Sequence, residues 1–163
     1  MMKTRIWSGV TVVVVLMTWL LIDTYVTARE PMVQEQGTAR ETVLAAYPSM
    51  EISETTTYYG DVAVQVIRGQ YEQEPHIAWV FPQEEGSKIV LRKESDGVSK
   101  TALIDKVKTE RNPEKFLSVK LGIKDEKPVW SVVYIAQDGR QYYEFYAFQT
   151  GEFIESISLK RTT

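Results

Sequence analysis

Residues 129–160 read VWSVVYIAQDGRQYYEFYAFQTGEFIESISLK, three apolar runs separated by two turn signals. The first run is VWSVVYIA, rich in β-branched and aromatic residues, as strands are. Asp138-Gly139 follows it, a strong short hairpin signal. The second run is QYYEFYAF, and the third, EFIESISLK, comes after Gly151. Just upstream, Leu117, Val119, Leu121 and Ile123 alternate with Ser118, Lys120, Gly122 and Lys124. A period of two marks a half-buried strand, and residues 125–128 turn out of it. These elements predict a four-stranded antiparallel meander. A helix should precede it. Ser99 is a suitable N-cap, Ala102, Leu103 and Val107 share one helical face, and Asn112-Pro113 interrupts the pattern.

The same order stands upstream. Residues 29–47 read as a helix that Pro48 ends. Ile52 and residues 56–59 lead into a Gly60-Asp61 turn, after which Val62, Val64 and Val66 alternate with Ala63, Gln65 and Ile67. Residues 69–75 read as a polar loop, 77–81 (IAWVF) as a strand, 82–86 as a turn and 88–92 (KIVLR) as a last strand. The polar stretch 93–98 (KESDGV) serves as a boundary. The expectation is an α+β fold with an internal repeat of helix and four-stranded sheet, one repeat in residues 29–96 and one in 97–163. Trp130, Val132 and Tyr134, with Phe153, Ile157 and Leu159, are the candidates for the helix-covered face of the second sheet.

Ahead of both repeats, residues 6–22 (IWSGVTVVVVLMTWLLI), from Ile6 to Ile22, carry no charge. As a helix the run covers roughly 25 Å of a hydrocarbon core about 30 Å thick. Trp7 stands near one end, Trp19 and Tyr25 near the other, as interfacial aromatics do. Lys3 and Arg5 are the only nearby cations before Arg29, so the positive-inside bias puts the N-terminus in the cytoplasm. The expected topology is residues 1–28 as cytoplasmic N-terminus and membrane anchor, with the C-terminal domains outside the cell membrane. The alternative is a signal peptide cleaved after Ala28.

No cysteine is present, which excludes thiol catalysis, zinc-thiolate sites and disulfides. Residues 29–96 hold six Lys/Arg against twelve Asp/Glu, a net of −6; residues 97–163 hold eleven against nine, a net of +2. Neither is the clustered basic stripe of a nucleic-acid binder. His76, the single histidine, follows Pro75 at a strand start, and the acidic pairs Glu84-Glu85 and Asp125-Glu126 fall in expected turns. Without a catalytic constellation, a Gly-rich phosphate loop or a nucleophile elbow, the chain is expected to be neither an enzyme nor a binder of cofactors, metals or small-molecule substrates. The aromatic cluster Tyr142, Tyr143, Phe145, Tyr146 and Phe148 is the most unusual feature. If Tyr142, Tyr146 and Phe148 pack inward, Tyr143 and Phe145 face outward, and the reverse otherwise; Tyr143 and Phe145 are the candidate partner-binding residues.

Residues 130–157 (WSVVYIAQDGRQYYEFYAFQTGEFIESI) resemble a PepSY-like domain: aromatic strand, Asp-Gly turn, second aromatic strand, then Thr150-Gly151-Glu152 into the final strand. The acidic residue usual three positions before the threonine is Ala147 here, so no role of that carboxylate carries over. The whole layout resembles the TseB-like (YpmB-like) proteins of Gram-positive bacteria. That resemblance implies cystatin-like, PepSY-like units and regulation of cell wall elongation through contact with a class B penicillin-binding protein. PepSY domains also occur in the propeptides of secreted proteases, so an inhibitor or chaperone of such enzymes is the other implied function.

Overall fold

A computed structural model describes residues 2–84 and 86–160, apart from the side chains of residues 2–15 and 26–31. The chain divides into two units, residues 1–38 and residues 39–163. The first helix, α1 (Met2–Ala46), runs unbroken from before the apolar run through the expected second helix. In the first unit, the described side chains Leu16, Met17, Trp19, Leu20, Leu21, Ile22 and Tyr25 are all exposed. The expected span at residues 6–22 lies, for residues 6–15, outside the described side chains, as does Ala28. Among the described residues no helix is long and apolar enough to cross a membrane.

In the second unit, α1 stops where Pro48 requires. The Tyr47 N–H still reaches the Val43 carbonyl at 2.7 Å, and Met50 N–H then closes a turn on Tyr47 at 3.0 Å. Strands β1 (Glu51–Tyr59), β2 (Ala63–Tyr71), β3 (Glu74–Pro82) and β4 (Ser87–Lys93) form one antiparallel sheet in sequence order. A short 3-10 turn at Glu94–Asp96 leads to α2 (Lys100–Arg111), capped by the Ser99 hydroxyl, which accepts from Ala102 N–H at 3.2 Å. Strands β5 (Lys115–Lys124), β6 (Lys127–Ile135), β7 (Gln141–Ala147) and β8 (Phe153–Leu159) form a second sheet of the same order. The α+β architecture with two four-stranded antiparallel sheets and helices agrees with the sequence expectation.

The repeat is also visible in the register. β1 begins at Glu51 and β5 at Lys115, β2 at Ala63 and β6 at Lys127, the same spacing of 64 residues. Both first strands carry a bulge at their third residue, Ser53 in β1 and Leu117 in β5. The expected loop at residues 69–75 is not a loop. β2 and β3 run through it and meet in a two-residue turn, Glu72-Gln73, with both φ positive (53° and 65°). That mirror-type turn matches strand twist but usually takes Asn or Gly, so composition hid it.

The first sheet is buried on both faces. Ile67, Ala78 and Val80 pack with Ala39 and Val43 of α1 and with Met50. The other face, with Val64, Val66, Ile77, Trp79 and Phe81, shares one core with Leu103 and Val107 of α2 and with Trp130, Val132, Tyr134, Tyr146 and Phe148. Trp79 meets Phe148 edge-on at 5.2 Å. The boundary stretch is part of this core: Val98 N–H donates to the Phe148 carbonyl (2.8 Å), and the Trp130 indole donates to the Val98 carbonyl (2.9 Å).

Candidate interaction surface

Strand β7 sorts the aromatic cluster by parity. Tyr142, Glu144 and Tyr146 lie opposite Tyr134, Val132 and Trp130, on the face that shares the core with α2. Tyr143 and Phe145 lie opposite Val133 and Ser131, on the other face. Tyr146 and Phe148 are buried, while Tyr142, the third member of that set, is half-buried. Tyr143 and Phe145 are half-buried rather than free. The Gln141 amide donates to the Tyr143 hydroxyl at 2.6 Å, and Lys124, paired with Glu155 at 2.6 Å, sits 5.2 Å from the Phe145 ring centroid. Phe145 also packs against the shared core.

The exposed apolar surface beside them belongs to β8, one of the two edge strands of the second sheet. Ile157 lies opposite Tyr143 and is 50% exposed; Leu159 lies opposite Gln141 and is 54% exposed. Phe153 and Ile154 are exposed too. The sequence grouped Phe153, Ile157 and Leu159 on the helix-covered face, and this is corrected. Ile154 is an extra residue in the β7–β8 ladder, so Phe153 pairs with Tyr146 while Ile157 pairs with Tyr143 on the opposite face. Trp130, Val132 and Tyr134 are buried as expected.

On the helix-facing side lies a charged group that the sequence reading did not single out. The Glu144 side chain is 4% exposed and receives Arg111 Nε at 3.0 and 3.3 Å. The Tyr146 hydroxyl donates to the same carboxylate. Burial pushes the Tyr134 and Tyr146 hydroxyls well above the usual tyrosine range, and the Glu144 carboxylate beside them adds to the shift. The available signal was phase: Glu144 falls in step with Tyr142 and Tyr146, so an inward aromatic stripe places it inside.

The remaining candidates are ordinary. His76 is buried, its ring edge-on to Tyr71 at 5.6 Å and its Nδ1 2.9 Å from the Glu74 carbonyl. Glu84, Asp125 and Glu126 come together around an open cleft of about 900 Å³, while Glu85 lies outside the described residues. Glu126 is ion-paired to Lys88, whose hydrogen bond holds its carboxyl below the usual range. Among the described residues no group of three acidic or histidine side chains is placed to hold a metal. Thr150-Gly151-Glu152 forms the β7–β8 turn: the Thr150 hydroxyl accepts Glu152 N–H at 3.2 Å, Gly151 takes φ +66°, and Lys106 donates to the Gly151 carbonyl at 2.6 Å.

No protein-family model and no curated protein matches the chain. Among solved structures, the YpmB protein from Bacillus subtilis is similar at 21% identity and a TM-score of 0.62, over 67% of this chain and 85% of that one. This likeness concerns the fold. A candidate lipoprotein (CD1622) from Clostridium difficile 630 aligns at 9% identity over 74% of this chain and 90% of that one, with a TM-score of 0.38, too low to bear on the fold.

Proposed function

We propose that this chain is a non-enzymatic regulator of cell wall elongation, a YpmB-like protein that binds a class B penicillin-binding protein. In this reading residues 6–22 anchor it in the cell membrane and the two repeats, as PepSY-like, cystatin-like units, stand outside. The observation that carries it is the β8 edge. It presents four exposed apolar residues, of which Ile157 and Leu159 share the face of Tyr143, on a strand whose only charge is Glu155. Monomeric proteins usually blunt such an edge with charge, so a long apolar edge is a ready site for strand addition. The exposed apolar side chains of residues 16–25 support the anchor, since a helix of this kind exposed to water loses the burial that would offset it. The fold likeness to YpmB adds support at the level of architecture. Anchoring also raises the effective concentration of a weak surface.

The test is co-purification of the tagged full-length chain with membrane proteins. Paired changes Tyr143→Ala and Ile157→Lys should leave the chain folded and abolish capture of the synthase. Undiminished capture would remove β7–β8 as the interface. Capture of a secreted protease in its place, with inhibition of that protease, would favour the propeptide-like function.

A further inference from the structure

A second surface lies between the two sheets. Strands β1 and β5 edge separate sheets, so neither completes the other's ladder. Between them runs a groove of about 270 Å³ with Val66, Leu121 and Trp130 among its lining. Val66, Leu121 and Trp130 are buried in the shared core and the Trp130 indole N–H is given to the Val98 carbonyl, so these side chains form only the groove's floor and bring it no free donor. Three cations line the groove, Arg68, Lys100 and Lys120, against one carboxylate, Glu54. Arg68 is engaged by Glu54 (3.7 Å) and Glu94. Lys100 and Lys120 are exposed and make no ion pair among the described residues.

We propose that this groove binds an extended acidic segment of a partner protein. The segment's backbone lies along the unpaired edge of β1 or β5, and a carboxylate sits between Lys100 and Lys120. The two unpaired strand edges, which only another backbone can use, select a peptide over a small anion. Charge complementarity selects an acidic one. The site uses different strands from β7 and β8 and does not depend on their role.

The test is titration calorimetry on the full-length chain in detergent micelles at low salt. The probes are an acetylated, amidated hexapeptide alternating leucine and glutamate, its leucine–glutamine counterpart, and inorganic tripolyphosphate. The glutamate peptide should bind, and the paired changes Lys100→Gln and Lys120→Gln should weaken it by about tenfold, the worth of two partly exposed ion pairs. The charge-matched pair Lys108→Gln and Lys115→Gln should change it less than about twofold. Unchanged circular dichroism establishes that both variants fold. Failure of the glutamate peptide to bind, equal binding of the glutamine peptide, or equal loss in the control variant would overturn the proposal. So would displacement of the peptide by tripolyphosphate, or self-association of the chain that Lys100→Gln and Lys120→Gln abolish.

Discussion

Glu144 sets the terms at the scale of single residues. It is the one buried carboxylate among the described residues, and it is satisfied on one side by Arg111 and on the other by tyrosine hydroxyls. Arg111 is 35% exposed, which moderates the pair's worth relative to a fully buried one. Glu144→Gln keeps the volume but loses the charge, and should lower unfolding free energy by about 1–3 kcal/mol in urea titrations. The neighbouring tyrosines make a pH prediction with a definite sign. Their folded-state pKa values are raised, so the stability they contribute is complete below the unfolded tyrosine pKa and is lost as pH climbs above it. The urea midpoint should fall above about pH 10, and more steeply in the parent than in a Tyr134→Phe, Tyr146→Phe variant. Equal slopes would mean the two hydroxyls are not held neutral by the fold. Gly122 makes a steric prediction: a Cβ there would stand 2.5 Å from the Tyr58 ring, which packs between the sheets. Gly122→Ala should cost about 1–3 kcal/mol by overpacking. The Glu144 network could be placed from alternation alone, but its partner Arg111 could not, because the partner comes from another element.

Elements were the most legible level, and the misses share a cause. Ser99, Pro48 and Asn112-Pro113 punctuate the helices where local chemistry says they should, because caps and prolines act within a few residues. Asp138-Gly139 lies within the expected β6–β7 turn, with Gly139 at φ +74° and Ala136 N–H closing on the Arg140 carbonyl at 3.0 Å. Glu72-Gln73 makes an equally tight turn with side chains that disfavour it, at a cost of roughly 1–2 kcal/mol per left-handed residue. Replacing the pair by Asn-Gly should therefore raise the unfolding free energy by about 1 kcal/mol or more, read from the urea midpoint at constant m-value. No change would mean that the turn is held by its strands and carries no strain. The bulge at Ile154 left no signal in composition, and by shifting the face of one residue it moved Ile157 and Leu159 from core to surface. The two faces of β7 were legible by parity, which left open which of them points inward, whereas the exposed edge on β8 required the register.

The whole molecule repeats one plan and then departs from it. Both repeats follow helix with meander and keep the 64-residue spacing, yet one core runs from Trp79 through Phe148 into α2, so residues 39–163 form one compact unit. Sequence alternation shows which face of a strand is apolar but not what covers it. Helix cover on one face was expected; the other face of the first sheet, buried in the second repeat, was not. The proposed contact with a cell-wall synthase belongs to this scale, since it joins the proposed anchor, the repeats and the β8 edge. Site-specific photocrosslinking in living cells tests it most directly, with a photoreactive residue at Ile157 on β8 and, as control, at Lys108 on the exposed side of α2. Position 157 should capture a class B penicillin-binding protein and position 108 should not. Equal capture from both positions, or no synthase captured from 157, would contradict it.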